Sequence, residues 1–281
     1  MPETPRPPAK WADLGVRALS AALLIPVVLV VVWVGGIWFN LVVALIAVLI
    51  AHEWTVLAHG RGSAQFALHA AAALCGALLP LEAGLWGTAI AVCVLWLASA
   101  LLASWQAGAK NIWTYLGVPY AGFPAMALVL LRADPQYGSL AILWILAIVW
   151  AADTLAYFAG RTIGGPKLAP IISPKKTWAG LGGAIVGSAA AAALFAAIAG
   201  LPAIAVLTFL AGGLAVVEQA GDLFKSALKR HYGVKDSGDL IPGHGGVIDR
   251  VDGLVAVAVA AAAIGVMRGG LESTGRGLLS W

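Results

Sequence analysis

The sequence predicts an all-α, polytopic integral membrane protein of about nine transmembrane helices, with its N-terminus cytoplasmic. Three observations carry that expectation. Of 281 residues, 61% are hydrophobic and only 11% charged, with a mean hydropathy of +0.93; a soluble domain carries roughly 25% charged residues. Uncharged runs recur at 18–52, 62–81, 83–109, 111–131, 135–152 and 177–217, and one membrane helix needs about 20 apolar residues. The short alternating segments of a transmembrane barrel do not occur.

The elements follow in order. Residues 1–17 are Pro-rich and mildly basic, and read as a cytoplasmic tail. The apolar stretch after them is too long for a signal h-region and has no convincing cleavage site, so it is expected to be retained. Spans are placed at 18–35, 37–58, 64–82, 84–104, 118–131, 139–160, 178–199, 201–221 and 251–268. Pro119 and Pro124 interrupt the fifth, and the ninth is short and alanine-rich. The chain thus divides into N-terminal helices (18–131), a C-terminal region (132–268) with charged loops at 160–177 and 222–250, and a tail (269–281).

Charge placement orients the spans. With the N-terminus inside, the inner segments hold 14 of the 17 Lys and Arg residues; only Arg132, Arg268 and Arg276 fall outside. That bias fits cytoplasmic retention of Lys and Arg. The net charge of +4 therefore needs no nucleic-acid partner. Trp11, Trp54, Trp105, Trp113 and Trp178 lie near proposed span ends, where interfacial anchoring accounts for them. Cys75 and Cys93 fall within apolar spans and read as packing residues. No internal repeat supports an inverted-repeat transporter.

Two loops carry the chemistry. In the first, Asp153 ends an otherwise uncharged helix, a placement that costs several kcal/mol unless the carboxylate faces a polar cavity. Gly160, Gly164 and Gly165 suit close backbone approach. Ser173, Lys175, Lys176 and Thr177 then offer hydroxyl and ammonium donors before the seventh span, as a phosphate at a helix N-terminus requires. A solvated basic loop would show the same residues.

The second loop, 221–253, packs five aspartates, five Lys/Arg and a Gly-His-Gly-Gly turn between apolar segments. On a helix continuing the eighth span, Asp222, Lys225, Ser226 and Lys229 fall at i, i+3, i+4 and i+7, hence on one face. Asp249 and Asp252 share a face at the entrance to the ninth span. Between them Gly243, His244, Gly245 and Gly246 can expose backbone N–H groups to an anion. Carboxylates converging from two helices can hold Mg²⁺ together with substrate phosphate oxygens. Cationic side chains would neutralise charge at a phosphorus centre. Asp236 and Asp239 read as loop-capping residues. His52 and Glu53 read as an interfacial pair, or as the border of a lipid-head cavity. His59 and His69 read as surface or packing residues.

Ser226-Ala-Leu-Lys229-Arg230, followed by Lys235-Asp236-Ser-Gly-Asp-Leu-Ile-Pro242-Gly-His244-Gly245-Gly246-Val-Ile-Asp249-Arg250-Val-Asp252, closely resembles the signature of the phosphatidate cytidylyltransferases, the CDP-diacylglycerol synthases. Asp153-Thr-x-Ala-Tyr-x-x-Gly160 and Ser173-Pro-Lys-Lys-Thr-Trp178 also look like that family's upstream motifs. One departure is Ala179, where members commonly carry Glu. The resemblance covers about 150–253; the N-terminal spans match only as hydrophobic helices.

The resemblance implies transfer of CMP from CTP to phosphatidate, giving CDP-diacylglycerol and pyrophosphate at a bacterial-type inner membrane, with Mg²⁺ required and a second metal ion left open. It implies Asp222 and Asp249 as principal metal ligands, with Asp153 and Asp252 completing or orienting the site. Lys229 and Arg230 would act on the phosphates in catalysis. His244 would polarise a phosphoryl oxygen or shape the turn. Ser173, Lys175, Lys176, Thr177, Ser226, Lys235, Gly243, Gly245, Gly246 and Arg250 would bind substrate. A homodimer is also implied, with no interface legible. The rivals are a CTP-dependent lipid kinase, whose product differs, and a secondary transporter. A transporter would place its charges near the midplane in both halves, whereas these gather on one side of one half.

Overall fold

In the computed structural model, residues 25–80, 82–107, 111–238 and 245–281 are described. They form helices α1 (Ile25–Val34), α2 (Gly36–His59), α3 (Gln65–Leu78), α4 (Gly84–Ala107), α5 (Gly117–Ala133), α6 (Gly138–Thr162), α7 (Trp178–Ile198), α8 (Ile204–His231), α9 (Ile248–Gly269) and α10 (Thr274–Leu279). A 3-10 turn spans Ile112–Tyr115, and a two-stranded hairpin joins β1 (Lys167–Ala169) to β2 (Ser173–Thr177). The fold is therefore all-α apart from this hairpin, and the protein is a multi-pass membrane protein.

Six of these helices, α2, α4, α6, α7, α8 and α9, are long and apolar enough to cross a membrane. The expected count of nine includes three shorter ones. α3 has 14 residues and α5 has 17, and the first expected span begins outside the described residues. Pro119 and Pro124 do not break α5. Pro119 lies in the first turn, where N–H groups have no intrahelical partner, and Pro124 is buried within the continuous helix. The tail after 269 is not a simple tail: it turns back as α10, whose Leu278 and Leu279 are fully buried.

α6, α7, α8 and α9 pack in sequence order, each against the next, while α2, α3 and α4 gather around α5. α5 also contacts α9, joining the two halves. Small residues set the closest approaches, as is common between membrane helices. A Cβ on Gly183 would stand 2.5 Å from Leu155 O of α6, and one on Gly187 would stand 2.8 Å from Ala151 O. On α8, a Cβ on Gly221 would stand 2.8 Å from both Ala256 Cβ and Asp252 O of α9. Large apolar side chains remain on the outside, Trp33, Trp86, Trp105, Phe209 and Met267 among them, as a lipid-facing surface requires.

The two ends of the bundle differ. At one end Asp134 accepts from Gln136 N and Tyr137 N through Oδ1, and from Arg276 N through Oδ2 at 2.7 Å. Arg132 Nε donates to Val32 O there, and Arg268 Nη1 donates to Gly277 O. The three arginines assigned to the outer side are thus at the same end. Asp153, Asp222, Asp249 and Asp252 lie at the other.

Candidate active site

Gly221 and Gly253 bracket the charged segment because they let α8 and α9 touch. A Cβ on Gly253 would meet Glu218 Cγ of α8 at 2.7 Å. That contact brings the acidic face of α8 against the first two turns of α9. Asp222 and Asp252, one from each helix, come within hydrogen-bonding reach of each other.

Lys225 stands at the centre. Its Nζ lies 2.9 Å from Asp222 Oδ1, 2.5 Å from Asp252 Oδ2 and 3.8 Å from Asp249 Oδ1. Its side chain is only 10% exposed. One turn on, Lys229 Nζ donates to Asp249 Oδ1 at 2.6 Å. The predicted face of Asp222, Lys225, Ser226 and Lys229 is therefore present, and its charges pair across to α9. Ser226 is half-buried on that face.

The upstream loop forms a second wall. It folds as a hairpin, with Lys167 opposite Thr177 and Ala169 opposite Ser173. This replaces the irregular loop expected from its basic composition, and Gly164 and Gly165 make the entry with φ of 67° and 89°. Lys176 Nζ reaches Asp222 Oδ2 at 2.7 Å and donates to Gln219 Oε1 at 2.6 Å. Arg230 Nε donates to Ile172 O at 3.3 Å, so this arginine fastens α8 to the hairpin tip. Thr177 is the N-cap of α7, its Oγ1 accepting from Gly180 N at 3.0 Å. Its hydroxyl thus has a capping role in addition to any substrate contact. Lys175, Lys235 and Arg250 are exposed around the rim, and Ser173 is half-buried.

Two further acids complete the cluster: Glu218, which the sequence reading missed, and Glu53, which it read as an interfacial residue or the border of a lipid-head cavity. Glu218 hydrogen-bonds Asp153 of α6 and accepts from Gln219 Nε2 at 2.7 Å. It lies four residues before Asp222, so helical spacing alone could have found it. Glu53 of α2 is 2% exposed. It accepts from Ser237 Oγ at 2.9 Å, Val247 N at 2.6 Å and Ile248 N at 2.9 Å. The expected His52–Glu53 pair is not formed: His52 is exposed on Phe66, and Glu53 turns inward. A carboxylate on the free N–H groups of a helix start is favourable in both hydrogen bonding and dipole.

Glu53 thereby ties the two ends of the glycine-rich turn. A Cβ on Gly238 would come 3.0 Å from Glu53 Oε1, and one on Gly246 would collide with Ser237 Oγ and Glu53 Oε2. Gly246 is therefore needed for close approach, and Gly245 takes a φ of 77°. Asp249 Oδ2 accepts from Ser237 N at 2.9 Å, closing the same ring. Gly243 and His244 lie outside the described residues.

Behind the cluster, Trp54 is fully buried, with Nε1 donating to Trp113 O at 3.0 Å. It packs with Tyr120 and Phe224, which corrects its expected interfacial role; Trp105 and Trp178 do remain exposed. His69 is a core residue, bonded to Thr55 Oγ1 at 2.8 Å and Ser99 Oγ at 3.2 Å. His59 Nε2 meets Thr114 O at 3.1 Å. Both cysteines are free thiols.

Among the described residues, no three His, Cys, Asp or Glu side chains form a ready-made cage for a metal ion; the oxygens converge on Lys225 instead. Yet Glu53, Asp153, Glu218, Asp222, Asp249 and Asp252 give six carboxyls, against three ammoniums from Lys176, Lys225 and Lys229. The carboxyl oxygens of Asp222, Asp249 and Asp252 that share the Lys225 ammonium are hard donors of the kind Mg²⁺ takes.

Residues 15–267 match the Cytidylyltransferase family. The chain is 43% identical over 249 residues to the phosphatidate cytidylyltransferase of Brucella abortus (biovar 1, strain 9-941), covering 88% of this chain and 91% of that protein. It is 33% identical over 250 residues to that of Staphylococcus haemolyticus, covering 86% and 95%, and 39% identical over 168 residues to that of Bacillus subtilis, covering 57% and 62%. With the match running through all six long helices and both walls of the charged site, this chain belongs to the cytidylyltransferase family.

Proposed function

We propose that the protein transfers CMP from CTP to phosphatidate, forming CDP-diacylglycerol and releasing pyrophosphate. The observation that carries this is the meeting of Lys176, Lys225 and Lys229 with aspartates of α8 and α9 at one end of an apolar bundle. Such a site can hold a polyanion at the level where a lipid phosphate sits.

A phosphate oxygen of phosphatidate attacks the α-phosphorus of CTP. The bond from that phosphorus to the bridging oxygen breaks, and pyrophosphate leaves with the electron pair. The nucleophile is already anionic, so no strong base is needed. Catalysis comes from positioning and charge neutralisation. Lys176, paired with Asp222, and Lys229, paired with Asp249, are placed to offset charge on the triphosphate. Lys225 holds the acidic residues together.

Asp222 and Asp249 would hold Mg²⁺, with Asp153 and Asp252 completing or orienting it. When bound, the ion supplies neutralisation of phosphate oxygens that the three lysines alone do not provide. The site faces the cytoplasm in this proposal, since its two charged loops belong to the segments in which the sequence concentrates Lys and Arg, and the host is a bacterial cell membrane.

The test uses purified protein, CTP labelled in the nucleoside and phosphatidate, with and without Mg²⁺. Label moving to lipid with release of pyrophosphate is expected. Release of CDP instead would mark a lipid kinase, and no turnover with phosphatidate would overturn the proposal.

A further inference from the structure

Among the described residues, two buried side-chain polar atoms have no hydrogen-bond partner, Tyr120 Oη and Trp144 Nε1. Tyr120 is the one beside the charged site. It lies near the start of α5, and its ring packs on Trp54 at 4.8 Å and on Phe224 at 5.8 Å. Trp54 follows Glu53 in α2, and Phe224 lies between Asp222 and Lys225 in α8. The ring is therefore held between the helix that ties the glycine-rich turn and the helix that carries the central lysine.

The hydroxyl lies in the field of Asp252, Asp222, Asp249 and Glu53, yet bonds to none of them. A buried donor left unmet costs about 1–3 kcal/mol. Phenylalanine would keep the same ring packing without that cost. An unmet group of this kind calls for a specific explanation, such as a bound water, an ion or a functional role. Here the donor bonds to none of the four carboxyls in whose field it lies, beside a site read as taking phosphates.

We propose that Tyr120 donates a hydrogen bond to a phosphate oxygen of bound substrate, making α5 a third wall of the site. The proposal rests on the CMP-transfer reading. Both CTP and phosphatidate present the required acceptor. The hydroxyl adds no charge, so its contribution is orientation of an oxygen that the lysines attract less directionally.

Tyr120→Phe tests this directly, with kinetics in each substrate and thermal unfolding of the substrate-free protein in detergent. The expected result is a loss of about ten- to a hundredfold in kcat/KM, the worth of one hydrogen bond to a charged group, with the melting temperature unchanged or higher. A raised KM for CTP alone assigns the contact to the nucleotide, and a raised KM for phosphatidate alone assigns it to the lipid. A lowered kcat with both KM values unchanged places the bond in the transition state. Unchanged kinetics would overturn the proposal and leave an ordered water as the partner. So would a melting temperature that falls by several degrees alongside activity, since the hydroxyl would then be structural. Either failure leaves the CMP-transfer reading standing, because that reading fails only if the unaltered protein does not make CDP-diacylglycerol.

Discussion

Glu53 Oε1 accepts a hydrogen bond from Val247 N at 2.6 Å, across 194 residues of sequence. This bond makes the N-terminal half part of the site, which the clustering of charge in the C-terminal half does not suggest. Through Ser237 and Ile248 the same carboxylate fixes both ends of a glycine-rich turn and the first turn of α9, and hence Asp249.

Glu53→Ala is expected to strip three buried donors of their acceptor, at about 1–3 kcal/mol for each that water does not reach. The variant should melt several degrees lower and be cut faster by protease around Ser237 and Val247. Glu53→Gln keeps one carbonyl acceptor and should fall between. Equal melting temperatures and cleavage rates for all three proteins would show that Glu53 does not hold the turn.

Lys225 is the keystone of the ion-pair cluster. Replacing it with Met leaves Asp222, Asp249 and Asp252 close together without their shared cation. Removing one partner of a buried pair costs about 3–5 kcal/mol, so the variant should be markedly destabilised. If these oxygens are also the Mg²⁺ ligands, added Mg²⁺ should raise the melting temperature of Lys225→Met more than that of the unaltered protein. The measurement is a thermal shift across a Mg²⁺ titration, with Ca²⁺ as comparison; equal shifts for both proteins would count against these aspartates as metal ligands.

Much of this was legible in the sequence, for physical reasons. Helical spacing placed Asp222, Lys225 and Lys229 on one face, and their pairing across to Asp249 and Asp252 follows from that face and from the small residues at 221 and 253. Hydropathy located the helices, since lipid demands long apolar runs. What was not legible depends on tertiary contact. Glu53 is a lone acid in an apolar helix, and only docking of α2 on the turn reveals its three donors. Trp54 has the composition of an interfacial anchor but is buried by Tyr120 and Phe224. The hairpin at 167–177 is also hidden, because two short polar strands lack the alternation that marks longer ones.

Close approach of α8 and α9 gives a steric prediction. Gly221→Ala places a methyl 2.8 Å from Ala256 Cβ and from Asp252 O, closer than real contacts allow. Overpacking of this kind costs about 1–3 kcal/mol, and it moves the helix bearing Asp252 away from Asp222. CMP transfer should fall more than stability does. Gly213→Ala is the matched control in the same helix, because nothing lies within 4 Å of its Cβ. It should retain activity and be slightly more stable, as alanine favours helix over glycine by about 1 kcal/mol. Similar losses in both variants would mean that glycine content, not contact, governs α8.

The two principal aspartates are expected to differ in what else they support. Asp222 pairs with Lys176 and Lys225, so Asp222→Asn weakens the link between the hairpin and α8. Asp249 pairs with Lys229 and also accepts from Ser237 N, so Asp249→Asn can keep the backbone contact through its carbonyl while losing the charge. Removal of one electrostatic group from a phosphoryl-transfer site costs about 10²–10³ in rate, so both variants should lose at least that much CMP transfer. Both should remain monodisperse in detergent, which separates loss of chemistry from loss of fold. Asp222→Asn should in addition leave the 163–177 segment more open to protease, whereas Asp249→Asn should not. Full activity in either folded variant would remove that residue from the proposed metal site. Equal hairpin cleavage in both would show that the Lys176–Asp222 pair does not hold the second wall in place.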